Sequence, residues 1–272
     1  MKIKDHFLTQ ETFEIIETEI LGIWKTHPVP QNISVYYESD DYISHHQDSG
    51  SFKEKIYKFL QNFNLKYKQN ILLDSVKKGS KVLDYGCGAG EFLKKIENDF
   101  ELYGFEPDVS ARIISQKKTN SIQFISSLSD IEDNTLDAIT LWHVFEHIEN
   151  QEEILQIFYN KLTPHGKLII AVPNPTSYDA KKYKEFWAAY DVPRHLFHFS
   201  KNGMIKLMNN RFWKVSKIKP LLLDSYYISA LSEKYKKSSL IWLKGLITGT
   251  ISNFKALKTG EYSSLIYIIE KK

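Results

Sequence analysis

From Lys81 onward, short apolar runs alternate with segments whose apolar residues recur every three or four positions. The runs Lys81–Tyr85, Leu102–Phe105, Ile122–Ile125, Asp137–Trp142, Lys167–Val172, Trp213–Lys219 and Ser264–Ile269 predict strands. Glu91–Asn98, Asp108–Lys118 and Val144–Leu162 predict helices between the early ones, and Ser200 suits the cap of a later helix through Asn209. Strands that alternate with helices pair in parallel through right-handed crossovers, so the expected fold is α/β: a doubly wound sheet with helices on both faces. Upstream, Phe52, Ile56, Phe59, Leu60, Phe63, Tyr67, Ile71 and Leu72 keep helical spacing, and Ser51 with Glu54 fits a capping box. The first fifty residues read differently. Phe13, Ile15, Ile16 and Ile20–Trp24 suggest two short strands about Gly22, stopped by Pro28-Val29-Pro30. The division expected is a small N-terminal cap over 1–50 and a main domain over 51–272, with a helical insertion at 222–260.

Composition narrows the class without choosing a function. The 272 residues carry 36 basic and 33 acidic side chains, a net charge of +3, which gives no electrostatic case for a nucleic-acid binder. One cysteine, Cys87, excludes an intrachain disulfide framework and a multi-cysteine zinc module. The start, MKIKDHFLTQETFE, has no apolar run of the secretory kind, and Leu240–Ile251 is broken by Lys244, Gly245 and Gly249. A cytoplasmic protein without integral membrane contact, monomeric or homodimeric, is expected. Tyr226–Lys258 mixes Leu, Ile and Trp with many lysines. It is read as a helical cover over the sheet, with peripheral membrane contact as the alternative.

The chemistry concentrates where the first main-domain strand turns into its helix. In Asp84-Tyr85-Gly86-Cys87-Gly88-Ala89-Gly90, three alternate glycines let the backbone turn tightly and approach a ligand, with a helix N-terminus behind it. Glu106 follows at the end of the next predicted strand, where an acid accepts hydrogen bonds from ribose hydroxyls.

Asp84-x-Gly86-x-Gly88-x-Gly90 followed by Glu106 resembles the cofactor site of class I S-adenosylmethionine-dependent methyltransferases. Leu136–Ile139 resembles the family's fourth strand, and Trp142–Ile148 its active-site edge, much as in bacterial ubiquinone-type O-methyltransferases. Leu162–Leu168 and Val172–Asn174 resemble the turn into the fifth strand and its end. The resemblance implies a Rossmann-like seven-stranded sheet of order 3-2-1-4-5-7-6 with the last strand antiparallel, and S-adenosyl-L-methionine as cofactor. It implies that Glu106 holds the ribose, that Gly86–Gly90 passes under the methionine part, and that Asp84 orients the loop or the amino group. Cys87, Pro107 and Trp142 complete that lining. The resemblance also implies that Ser126, Ser127 and Leu128 lie beside the adenine, with Ser where relatives often carry an acid. Bacterial relatives often have a cysteine-rich zinc knuckle upstream; it is absent here, so no metal is expected. Tyr36, Tyr42 and His45 are then the cap residues expected to reach the cofactor.

Two polar clusters are candidates for the acceptor side. In Trp142–Ile148, Glu146 and His147 either line the acceptor or satisfy each other. His143-Val144-Phe145-Glu146-His147 also matches an inverted zinc-protease pattern, which is set aside because His143 ends a predicted strand. In Asp191–Phe199, Asp191, Arg194 and His198 are expected to bind the acceptor, against the alternative that they anchor a loop. His143 or His195 is the expected base, needed only if the acceptor must lose a proton. The expected reaction is direct in-line transfer of a methyl group to oxygen or nitrogen of a small-molecule acceptor. An RNA or protein methyltransferase and a catalytically idle nucleotide-binding scaffold are the competing readings.

Overall fold

In the computed structural model, which describes residues 1–37, 52–119, 121–209 and 212–272, the elements follow the chain in this order. First come β1 (Lys2–Lys4), β2 (Thr12–Glu17), β3 (Ile23–His27) and α1 (Phe52–Leu73). The alternating part is β4 (Lys81–Tyr85), α2 (Glu91–Ile96), β5 (Glu101–Phe105), α3 (Val109–Lys118), β6 (Ile122–Phe124), β7 (Leu136–Trp142), α4 (Gln151–Lys161) and β8 (Leu162–Pro173). Then follow α5 (Tyr178–Tyr183), β9 (Phe197–Phe199), α6 (Lys201–Asn209), β10 (Trp213–Pro220), α7 (Asp224–Tyr235), α8 (Ile241–Thr259) and β11 (Ser264–Lys271).

Seven strands form the main sheet in the order β10-β11-β8-β7-β4-β5-β6. Numbered from β4, this is 3-2-1-4-5-7-6, and β11 runs antiparallel to both its neighbours. The remaining pairs, β6-β5-β4-β7-β8, are parallel. Both sheet faces are buried, as parallel sheets require. Leu83, Ile139, Leu168 and Ile170 fill one side with Phe145, Leu155 and Phe158. Val82, Ala138, Ile169 and Ala171 fill the other with Leu93 and Ile96 of α2. The alternation of Ala138 with Ile139, and of Ile169 with Ile170, is the period of two that divides a strand between two cores. Each fully buried Ile or Leu contributes about 1.5–3 kcal/mol.

The segment expected as one helix over Val144–Leu162 is instead a turn followed by a shorter helix. His143 takes a left-handed conformation (φ 58°) after β7, a short 3-10 turn carries Phe145–His147, and α4 begins only at Gln151. Phe145 and Glu146 are buried by this turn. Ser200 caps α6 as expected, accepting from the Gly203 N–H at 3.0 Å.

The N-terminal region holds a four-stranded antiparallel sheet, β1-β2-β3-β9, rather than two strands alone. Its last member comes from the main domain, with Ile23 opposite Phe199. Ile3, Phe13, Ile15 and Tyr36 share one core with Trp187, Tyr190 and Val192. The α7–α8 hairpin packs chiefly on itself, on α5 and on the Ala188–Tyr190 turn, rather than lying as a cover across the sheet.

Candidate active site

The glycine loop joins β4 to α2 at the carboxyl edge of the parallel strands. All three of its glycines have positive φ (77°, 53° and 78° at Gly86, Gly88 and Gly90), a region that costs other residues about 1–2 kcal/mol. A Cβ at Gly86 would come within 2.5 Å of Val144 Cγ2, so this position must stay bare for packing. A Cβ at Gly88 would meet nothing within 4 Å. That open cradle lies beside Glu106, which is buried at the end of β5. Glu106 accepts from the Gly88 N–H at 2.7 Å and from the Asp108 N–H at 2.9 Å, so its carboxylate and the bare loop face each other. Cys87 is buried in the loop, and burial pushes its thiol well above the ordinary range. It packs as a small apolar group.

Asp84, at the end of β4, is buried and accepts from the Thr140 hydroxyl at 2.6 Å. Burial raises its carboxyl to about 6, against the opposing effects of Thr140 and the Lys68 ammonium. Lys68 of α1 stands 4.7 Å from the centre of the Trp142 ring. Burial lowers its pKa, while Asp224 and Asp84 pull it back up. Trp142 also meets Phe92 edge-on at 5.1 Å. Ser127 is exposed and ordered by Asp130, whose carboxylate accepts from the Ser126 and Ser127 N–H groups, and Leu128 is buried. Pro107 is exposed beside Glu106.

Beyond Trp142 the turn after β7 gathers three histidines around one carboxylate. Glu146 is 1% exposed, and neither of its oxygens accepts a hydrogen bond from a described residue. Its nearest ring nitrogens are His143 Nδ1 at 3.4 Å and His195 Nε2 at 3.9 Å, both to Oε1. Burial works to raise its pKa, but the histidines around it hold it below the usual value. On its other side His143 Nε2 lies 2.9 Å from Asp224 Oδ2 of α7. Burial opposes the His143 charge, yet Asp224 and Glu146 outweigh it and raise the ring to about 9. The two carboxylates thus favour the charged form of His143, whose two ring nitrogens face Asp224 and Glu146.

His195 Nδ1 donates to the Ala189 carbonyl at 2.9 Å, which turns Nε2 toward Glu146. His147 Nδ1 donates likewise to the Arg194 carbonyl at 2.9 Å, with the Tyr37 hydroxyl 3.0 Å from the same nitrogen. Burial and the neighbouring His195 lower His147 to about 4, so it is neutral. The two imidazoles meet edge-on at 4.7 Å. Ligand atoms of Glu146, His147 and His195 all lie within 4.8 Å of one another, near enough to converge on one divalent ion.

Three residues expected on the acceptor are tied up elsewhere. Arg194 is 2% exposed and all three of its guanidinium nitrogens are engaged: Nε and Nη2 donate to Asp191, Nη2 to Asp5 at 2.9 Å, and Nη1 to the Tyr36 carbonyl at 3.0 Å. Asp191 is spent on the same contact, so the pair anchors its loop to the N-terminal region instead of holding an acceptor. His198 is buried with Nε2 3.0 Å from the Thr26 hydroxyl, and burial lowers it to about 3. It is a neutral link between β9 and β3 within the N-terminal sheet.

Tyr36 also departs from expectation. Its hydroxyl donates to Glu11 and its ring packs on Phe13, so it belongs to the N-terminal core and not to the cofactor cleft. Its neighbour Tyr37 is the one that meets the histidine cluster. Tyr42 and His45 lie outside the described residues. Lys68, Asp224 and Tyr37 carry no local sequence signal, because each reaches the site from an element remote from it in the chain.

The chain matches the family described as a methyltransferase domain over residues 56–216, more than half its length. An uncharacterized protein of Haemophilus influenzae is 28% identical over 153 residues, covering 50% of this chain and 58% of that protein. Phosphoethanolamine N-methyltransferase 3 of Arabidopsis thaliana is 31% identical over 106 residues, 35% of this chain and 21% of that enzyme. The matched part therefore spans less than two thirds of the length of either relative. Among solved structures, the complex between the Haloferax volcanii Trm112 methyltransferase activator and a methyltransferase is similar with a TM-score of 0.58. The identity there is 14%, over 79% of this chain and 92% of that chain, a likeness of fold.

Proposed function

Because the chain belongs to the methyltransferase domain family, we propose that it transfers a methyl group from S-adenosyl-L-methionine to a hydroxyl or amine of a small-molecule acceptor. When bound, that cofactor supplies an electrophilic methyl on a sulfonium centre, open to direct displacement. The residues present fit it. Glu106 offers two carboxylate oxygens to ribose hydroxyls, and the Gly88 position leaves the loop bare where a ligand must approach. Asp84, Lys68 and Trp142 line the same edge, with the ammonium of Lys68 suited to a carboxylate and the carboxyl of Asp84 to an amino group.

The observation that carries the acceptor side is the buried carboxylate of Glu146, which has the His143 and His195 rings beside Oε1 at 3.4 and 3.9 Å but accepts no hydrogen bond of normal geometry from a described residue. A buried carboxylate short of hydrogen-bond donors is costly unless a ligand supplies them, so the site favours an acceptor that presents an O–H or N–H. In this reading His195, whose Nε2 lies 3.9 Å from Glu146, takes the proton that such a group releases. The imidazolium of His143 stands beside the carboxylate at 3.4 Å. Tyr37, from the short turn Ile33–Tyr37 that follows β3, covers His147 on one side of the cluster and helps exclude water. Cofactor site and histidine cluster meet at Trp142 and His143, the last residue of β7 and the one after it.

Release of S-adenosylhomocysteine over a panel of hydroxyl and amine acceptors tests the reading. Glu146→Gln is expected to lower turnover roughly 10²–10⁴-fold while S-adenosylhomocysteine still binds. A wild-type rate in this variant removes Glu146 from the reaction. Treatment with EDTA is expected to leave the rate unchanged; loss restored by a divalent ion would make Glu146, His147 and His195 its ligands. Glu106→Ala is expected to weaken S-adenosylhomocysteine binding by about 1–3 kcal/mol in calorimetric titration, and unchanged affinity would take Glu106 out of the cofactor site.

A further inference from the structure

Helix α8 is packed inside out for a helix in water. The face it turns to α7 and α5 is built from small residues: Gly245, Thr248, Gly249, Ser252 and Ala256 are all buried. A Cβ on Gly245 would lie 2.7 Å from Ala230 Cα, and one on Gly249 2.7 Å from a Tyr226 ring atom, so the two helices approach nearly backbone to backbone. The bulky apolar side chains point the other way. Trp242 is 73% exposed, Phe254 71% and Leu257 70%, with Leu243, Leu246 and Ile247 about half exposed between them. At about 100° per residue these six fall within one arc of roughly 140°. Contiguous apolar surface of this kind is rare on a protein surrounded by water and marks a contact surface.

The charge around it indicates what covers it. Between Lys234 and Thr259 there are six lysines and no acidic residue, and Lys234, Lys236, Lys237, Lys244, Lys255 and Lys258 are all exposed. Lys244, Lys255 and Lys258 border the apolar arc on one side, and the other three sit at the turn between the helices. A second copy of the chain, set against this face about a two-fold axis, would bring its own uncompensated lysines against these. Small residues inward and large apolar ones outward is the arrangement helices adopt where the exterior is lipid. No described helix is long and apolar enough to cross a membrane, so the contact lies along the surface.

We propose that the outer face of α8 docks on an anionic lipid bilayer, with Trp242, Leu246, Phe254 and Leu257 in the headgroup–acyl boundary and the bordering lysines on lipid phosphates. Co-sedimentation of the full chain with vesicles of phosphatidylglycerol and phosphatidylcholine tests this directly. Binding is expected at low salt, and is expected to fall roughly tenfold or more on pure phosphatidylcholine or at high salt. The exposed pair Trp242→Ala/Phe254→Ala is expected to keep the wild-type unfolding midpoint and to lose roughly tenfold or more in partitioning. Lys244→Gln/Lys255→Gln/Lys258→Gln is expected to abolish the preference for phosphatidylglycerol, and Leu246→Gln gives an independent check on the apolar arc. Absence of binding to either vesicle at low salt overturns the proposal, as does wild-type partitioning of the Trp242/Phe254 variant. A wild-type dimer in solution that this variant converts to monomer assigns the face to a second copy instead.

Discussion

Asp84 sits beside Thr140 with the Lys68 ammonium as its nearest compensation, and burial still raises its carboxyl from 3.8 to about 6. The folded chain therefore binds a proton between those values that the unfolded chain releases. The stability this contributes is complete below about 3.8 and is lost as the pH rises through about 6. At neutral pH the ionised Asp84 is a cost to the unliganded fold. Asp84→Asn, which keeps an oxygen for the Thr140 hydroxyl, is expected to stabilise the ligand-free protein at pH 7.5 by on the order of 2 kcal/mol. That gain is expected to vanish at pH 3.5 and to come with weaker cofactor binding. Urea titrations at the two pH values, with S-adenosylhomocysteine calorimetry beside them, measure both effects. A variant less stable than wild type at pH 7.5 would mean that the ionised carboxylate supports the fold. A loss of binding paired with a gain in stability is the signature of a residue kept for its ligand.

At the scale of elements, the segment from Asp191 to Phe199 joins the two sheets, and Arg194 is its pin. Asp5, whose side chain is wholly buried, and Asp191 both depend on that guanidinium. Arg194→Met would leave both carboxylates without their cation, a loss expected to cost about 3–5 kcal/mol, read as a shift of the urea midpoint. A shift below about 1 kcal/mol would show that water reaches the pair and that the anchor is weak. This segment also marks where the sequence stops being legible. The strands of the main sheet, the glycine loop and Glu106 could be read because their signals are local: a period of two, alternate glycines at a strand end, an acid at the next one. Arg194 and His198 carry the same chemistry whether they face a ligand or a buried aspartate, and only the fold decides. Asp5 lies 189 residues from Arg194, and β9 acquires its strand character from pairing with β3 rather than from its own three residues. The helix expected over Val144–Leu162 failed for a related reason. Its apolar positions suit a helix, but the left-handed turn at His143 sends Phe145 into the core and delays the first helical turn to Gln151.

For the whole molecule these contacts bear on whether the N-terminal sheet is a separate module. Its fourth strand, the partner of its Asp5 and two thirds of the buried apolar residues of its core all come from residue 180 onward. A module so incomplete has no stable state of its own: removing the main domain would expose Phe13 and Ile15 and strand Asp5. The described chain is therefore expected to unfold in one transition, with calorimetric and van 't Hoff enthalpies equal. A ligand at the glycine loop should then stabilise the N-terminal sheet as much as the main sheet. At a hundred times its dissociation constant, S-adenosylhomocysteine is expected to add about 2.7 kcal/mol to that single transition. Tyr36 and Tyr37 give a local report of the same event, since both are held by contacts between the N-terminal region and the main domain. If the near-ultraviolet tyrosine signal melts ahead of the calorimetric peak and ignores the ligand, the N-terminal sheet unfolds independently and Arg194 does not couple it to the site. Coincident, equally shifted transitions would mean that cofactor binding is felt across both sheets through the Asp191–Phe199 segment.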